Sequence, residues 1–221
     1  MTMKAQALLH LLQFASPALP VGAYSYSQGL EAALEEGSVR DAATARDWMC
    51  SMLHEVLARW DAPLFWRLLR AHADGDEATA SCWAGRYLAS RDTAELRAES
   101  VQMGFSLARL LADLELAPAA EGEEAYLCAL ARAVHALGVP HEAALLAMLF
   151  GWAENQVLVC VKSIPLGQVA GQRLLLSLRP EIEEAARSAQ ALDDEDMSNW
   201  APGLSLLSMR HEVQHGRLYR S

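Results

Sequence analysis

The 221-residue sequence predicts an all-α protein, a compact bundle of about ten helices with no sheet. Three observations carry that expectation. Apolar residues make up 52% of the chain and are mostly Ala and Leu, a composition that favours helices over strands. They recur at three- and four-residue spacing in segment after segment. No alternating apolar–polar run of useful length appears, and no internal repeat. The length fits one domain over residues 1–221, large enough to bury a core without disulfide or metal staples.

The elements follow in order. Residues 5–30 contain no Asp, Glu, Lys or Arg. Leu8, Leu11, Leu12 and Ala15 recur at helical spacing until Ser16-Pro17 ends the first helix. Pro17, Pro20 and Gly22 make a stiff loop, and Ser25 with Gln28 reads as a capping box opening the second helix. Asp41 starts a third, striped by Met49, Met52, Leu53, Val56 and Trp60. Pro63 is expected to kink or split it, with Leu64, Phe65, Leu68 and Leu69 continuing beyond. "HADGDEA" is a turn, and a short helix runs to about Leu88.

Asp92 with Glu95 resembles another capping box, with Asp in the cap position. Leu96, Ser100, Met103, Leu107, Leu111 and Leu114 line one face of the helix that follows. "APAAEGEE" reads as a linker. Helices come next at about 123–137 and 140–162, with Pro140 in the first turn of the second. From Ala143 to Val161 only Glu154 is charged and apolar residues run all round, which predicts a helix central to the fold. "SIPLGQ" breaks the chain, and Pro180 interrupts a helix that begins at about Gln168. The acidic loop "DDEDMSNWAPG" precedes a last helical stretch, "LSLLSMRHEVQHGRLYR".

The net charge of −10 argues against nucleic acid, whose phosphates attract basic surfaces, and suits a basic partner or the handling of cations. Cys50, Cys82, Cys128 and Cys160 show no C-x-x-C pairing and sit in apolar helical contexts, which reads as buried free thiols in a reducing cytosol. Met1-Thr2-Met3-Lys4 leads into an amphipathic segment rather than a signal peptide, and no uninterrupted apolar run reaches 18 residues. A cytoplasmic protein with no membrane span is expected.

"HEVQH", residues 211–215, fits H-E-x-x-H, in which His211 and His215 would bind zinc one helical turn apart and Glu212 would act as base. A catalytic zinc needs a third ligand, and the following "GRLYRS" supplies no His, Asp, Glu or Cys. A terminal helix facing solvent or a partner is the plainer reading. "YSYSQG" approaches a serine nucleophile elbow, but Ser25 stands where the first glycine belongs and no strand precedes it. Lys162-Ser163 follows Cys-Val rather than glycines, so no P-loop is present. His54-Glu55 lacks a second His at ligand spacing, and His135 and His141 read as surface or capping residues before ligands. Glu154, Asn155 and Gln156 in the apolar helix imply either an internal hydrogen-bond network or the polar lining of a passage or contact surface.

Charge is uneven. Residues 181–196 hold seven acids and one arginine, whereas residues 204–221 hold Arg210, Arg217 and Arg220 against Glu212 alone. The basic end is either a docking arm or a flexible terminus. No catalytic constellation emerges, so the residues point to a binding protein rather than an enzyme.

Four segments carry a family resemblance. "LLQFASPALPVGAYSYSQGLEAALEEG", "ASRDTAELRAESVQMG", "WAENQVLVCVKSIPLGQVAGQRLL" and "SMRHEVQHGRLYRS" resemble, in the same order, the signatures of the urease accessory UreF family. His215 stands where the family's tail has Tyr and Gly216 where it has Ser, so the apparent zinc motif arises from a departure from the family pattern.

The resemblance implies a non-enzymatic, dimeric, all-α chaperone that binds UreD (UreH in some species), recruits the GTPase UreG and supports GTP-dependent nickel insertion into apo-urease. No cofactor of its own is implied: nickel is handled by the complex and GTP is bound by UreG. The C-terminal arm, about 204–221, carries Arg210, His211, Glu212, Arg217, Leu218, Tyr219, Arg220 and Ser221 toward UreD/UreH. Arginines there would supply bidentate pairing and Tyr219 a rigid anchor. The N-terminal loop adds Pro17, Pro20, Gly22, Tyr24, Ser25, Ser27, Gly29 and Glu31 to that side. Lys162 and Gln168 are assigned to the UreG side. Two alternatives remain: a direct nickel carrier through His211 and His215, and a metal-dependent hydrolase built on Glu212. If the arm is a separable module, removing residues 210–221 leaves the helical body intact.

Overall fold

The computed structural model describes residues 3–119 and 122–221. Met1 and Thr2 of the N-terminal segment, and Ala120 and Glu121 of the predicted linker, lie outside the described residues. Eleven α-helices and no strand occur among the described residues. They are α1 (Ala5–Phe14), α2 (Leu30–Glu35), α3 (Ala42–Ser51), α4 (Asp61–Asp74), α5 (Glu77–Ala89) and α6 (Ala94–Asp113). The second half holds α7 (Tyr126–Ala136), α8 (His141–Ser163), α9 (Gln168–Ser177), α10 (Arg179–Ala191) and α11 (Pro202–Glu212).

α8 is central, as its all-round apolar surface predicts. It packs against α1, α2, α3, α4, α9 and α10. Its length and composition would also suit a membrane span, but Leu145, Leu149, Ala153, Val157 and Cys160 are buried against neighbouring helices. α4 fills the layer between α5, α7 and α10, burying Leu64, Phe65, Leu68 and Leu69. α6 packs along α7 and buries Leu96, Met103, Leu107 and Leu111.

Several local expectations shift, each for a physical reason. The break in the third predicted helix precedes Pro63. A wide π-type turn over Met52–Val56 and a 3-10 turn over Leu57–Arg59 interrupt it, and Pro63 then sits in the first turn of α4. Proline is tolerated there because a first-turn N–H has no intrahelical acceptor to lose. Thr93 rather than Asp92 caps α6, its hydroxyl accepting from the Leu96 N–H at 3.3 Å. Leu114 falls beyond the end of that helix and is exposed. Pro140 is the residue before α8 rather than part of its first turn. α1 buries Ala7 and Phe14 while Leu8 and Leu12, expected on its inner stripe, are exposed. Of the four thiols only Cys128 and Cys160 are buried; Cys50 is half-buried and Cys82 exposed.

Two glycines make opposite predictions. A Cβ on Gly104 would lie 2.7 Å from the Ala125 carbonyl carbon and 2.8 Å from the Tyr126 nitrogen, so α6 approaches α7 against bare backbone. A Cβ on Gly85, in α5, meets nothing within 4 Å. Gly104→Ala is therefore expected to destabilise by roughly 2–4 kcal/mol through forced backbone movement. Gly85→Ala should stabilise by up to about 1 kcal/mol through helix propensity. Paired urea denaturation curves check both signs.

Candidate partner-binding site

The two ends of the chain close on each other. After α1 the loop runs through Gly22 and Gly29, both in the left-handed region at φ 82° and 81°, where a side chain would be strained. This path buries Leu19, Val21, Tyr26 and Ser27. Ser25 is not the cap of α2, and no side chain caps that helix at Gly29. Ser27 instead takes the Glu31 N–H onto its hydroxyl oxygen at 3.2 Å.

The tail lies alongside this loop. The Ser27 N–H donates to the Ser221 carbonyl at 2.9 Å, and the Arg220 N–H donates to the Ser25 carbonyl at 2.8 Å. The Ser27 hydroxyl also donates to the Ser221 carbonyl.

Three carboxylates fix the tail from beneath. Glu31, in α2, accepts the Leu218 N–H at 2.7 Å and the Tyr219 N–H at 3.0 Å. Its Oε2 also lies 2.9 Å from His211 Nε2. Glu95, in α6, faces His211 Nδ1 at 2.6 Å with one oxygen and Arg217 at 2.5 Å with the other. The His211 ring is fully buried between them, one ring nitrogen facing each carboxylate. Glu99, one turn further along α6, accepts from Gln28 Nε2 at 2.5 Å and from the Ser221 hydroxyl at 2.7 Å. Burial lifts the Glu99 carboxyl from its ordinary 4.5 to about 7, opposed by the Gln28 and Ser221 hydrogen bonds and by the Arg91 charge.

The polar residues of α8 serve the same loop. Asn155 donates to the Tyr26 carbonyl at 2.8 Å, Gln156 to the Ser27 carbonyl at 3.1 Å, and the Trp152 indole to Gln28 at 2.7 Å. For Asn155 and Gln156 the internal network holds. Glu154 borders a cleft of about 210 Å³ between α1 and the body.

The structure brings most of the sequence candidates together. Ser25, Ser27, Glu31, His211, Arg217, Leu218, Tyr219, Arg220 and Ser221 belong to one contact network, and Arg210 reaches Glu36 at 2.6 Å. Glu212 faces outward and accepts the Ala94 N–H at 3.2 Å, in place of an N-terminal helix partner. Pro17, Pro20 and Tyr24 lie on the exposed side of the loop. Lys162 stands over the Tyr219 ring at 5.8 Å, next to the tail, and Gln168 is exposed at the start of α9.

The last helical stretch ends at Glu212, short of the predicted Arg220. His215 is thus off the helix and exposed, while both His211 nitrogens already face carboxylates. The i, i+4 histidine pair that a zinc motif or a nickel carrier would use is not formed. Nor is the tail a free arm: Tyr219 and Ser221 are buried, and removing residues 210–221 would strip Glu31 and Glu95 of their tail partners and leave Glu99 with Gln28 alone. Sequence reading found Glu95 and Gln28 only as capping residues and missed Glu99 and Trp152. The one available signal was Glu95 and Glu99 standing four apart on a helix face otherwise bound for the core.

Comparison with known proteins gives a consistent family. The UreF family model matches residues 39–179. The chain is similar to the urease accessory protein UreF of Janthinobacterium sp. (strain Marseille), 62% identical over 99% of this chain and 100% of that protein. It is also similar to the protein of the same name from Nitrosospira multiformis, 55% identical over 98% of each chain. A third, from Azoarcus sp. (strain BH72), is 51% identical over 97% of this chain and 95% of its own length.

Two predictions follow from the carboxylates. Glu31→Ala leaves His211 Nε2 and two tail N–H groups without their partner, so stability should fall by roughly 3 kcal/mol and protease cleavage after α11 should accelerate. For Glu99 the folded-state pKa is raised, so its stabilising contribution is complete below about 4.5 and is lost as pH rises through about 7. Glu99→Gln stays neutral throughout. Its melting temperature should vary less between pH 5 and 8 than that of the parent protein, as thermal scans across that range will show.

Proposed function

The chain belongs to the UreF family of urease accessory proteins, and from that premise we propose that it is a non-enzymatic chaperone of urease maturation. Its task on this reading is to bind UreD/UreH through one composite surface. With that partner it recruits UreG and supports GTP-dependent nickel insertion into apo-urease. The working form is a cytoplasmic homodimer. Nickel is cargo of the assembly, and GTP belongs to UreG.

The observation that carries the reading is the convergence of the N-terminal loop and the C-terminal tail. Many polar groups of both ends are consumed internally, and large apolar groups are left outside. Val213 is 76% exposed, Leu218 72% and Tyr24 59%. Such side chains on a rigid, hydrogen-bonded base suit the anchors of a protein interface. Because the tail is already seated, binding does not have to order a free arm, and the affinity is correspondingly higher. Arg210 and Arg217 are already paired with Glu36 and Glu95, so the exposed Arg220 is the arginine that offers rim charge to an acidic face on the partner.

Leu218→Asp and Val213→Asp place charge on the anchors without touching the internal hydrogen bonds. Each should weaken co-purification with UreD/UreH by at least about tenfold and lower urease activation in a reconstituted maturation assay. The melting temperature should stay within about 1 °C of the parent protein, since both side chains are exposed. Unchanged capture of UreD/UreH by the double variant overturns the surface assignment.

A further inference from the structure

The cleft beside α1 holds about 210 Å³ and is not used by the pairing of loop and tail. An apolar cavity of about 150 Å³ admits benzene, so this one has room for roughly ten non-hydrogen atoms. Leu11 and Phe14 of α1 line one side. Leu96 and Met103 of α6, with Leu127 and Leu130 of α7, line the body.

Polar groups interrupt this apolar lining. Asp61, the first residue of α4, and Arg91, between α5 and α6, both border the cleft. Asp61 Oδ1 lies 3.0 Å from Arg91 Nη2, an ion pair without hydrogen-bond alignment. Asp61 Oδ1 and Arg91 Nε are buried and have no hydrogen-bond partner among the described residues. The same holds for Ser100 Oγ, also on the cleft. Asp61 is 7% exposed and Ser100 6%, and polar side chains so deeply buried are nearly always partnered in folded proteins. The Arg91 guanidinium is held over the Tyr87 ring, 4.4 Å from its centre.

α8 supplies the second observation. Gly151 stands in the middle of this helix on the cleft, and a Cβ there would meet only the Ala15 carbonyl oxygen, at 4.0 Å. Glycine weakens a helix interior, and no close backbone approach requires it here, in contrast to Gly104. Its missing side chain keeps the cleft open between α8 and the end of α1.

We propose that the cleft binds a small uncharged amphipathic molecule, an apolar body of about benzene size carrying an amide-type head that donates to Asp61 Oδ1 and accepts from Arg91 Nε. Such a head offers a donor and an acceptor side by side, as the adjacent carboxylate and guanidinium require. A cationic head would meet Arg91, and an anionic one Asp61 and the Glu99 carboxyl, which also lines the cleft. The apolar body replaces water against Phe14, Met103 and Leu127.

The test titrates the full chain with benzamide by calorimetry, with ethylbenzene, benzoate and benzamidine as apolar, anionic and cationic counterparts. Benzamide should bind one to one with submillimolar Kd, at least about fivefold more tightly than each counterpart. Gly151→Leu fills the cleft from a position with room for a side chain, so it should abolish benzamide binding while the helical circular dichroism spectrum is kept. Arg91→Lys keeps a cation beside Asp61 but removes the Nε donor. It should weaken benzamide about fivefold and leave ethylbenzene unaffected. Benzamide binding only above about 10 mM, equal benzamide affinity in either variant, or a counterpart binding as tightly as benzamide overturns the site. The readout is ligand binding alone, so it is independent of whether the chain binds UreD/UreH.

Discussion

A buried carboxylate has to find donors, and Glu31 finds all three of its tail partners at the C-terminus: the Leu218 and Tyr219 amides and the His211 ring. Leaving such a charge without partners inside a protein costs several kcal/mol, so loop and tail are ordered together or not at all. Glu95 and Glu99 extend the same constraint along α6. Glu95 holds His211 and Arg217 of the tail with its two oxygens, whereas Glu99 holds Ser221 with one and the N-terminal loop, through Gln28, with the other.

The central helix makes this arrangement possible. α8 buries an apolar face against α4 and α10 and reserves Trp152, Asn155 and Gln156 for the loop backbone. Those three side chains satisfy loop carbonyls and Gln28, which would otherwise be desolvated without partners. The loop is thus rigid although it has little regular structure of its own. A rigid loop in turn gives the tail a surface to pair with, through Ser25 and Ser27.

This hierarchy separates stability from recognition. Many polar groups of both termini face inward and are consumed by the fold, whereas the side chains of Tyr24, Val213 and Leu218 are exposed. The proposed partner surface draws on that division, because side chains that anchor a partner cannot also be the ones that hold the loop together.

The sequence by itself determined the helical class, the approximate helix boundaries, the centrality of α8 and the family, because periodicity and chain-ordered motifs are local properties. Thr93 replacing Asp92 as a cap, and the break falling at Met52–Val56 instead of Pro63, are small displacements within that local reading. Only the tertiary structure decided the meaning of the C-terminal pattern. His211 and Glu212 look like half of a metal site on a continuous helix, but the helix ends at Glu212 and His211 is buried between Glu31 and Glu95. Those carboxylates lie more than a hundred residues away in the sequence, and long-range pairing of buried charge leaves no local period to read.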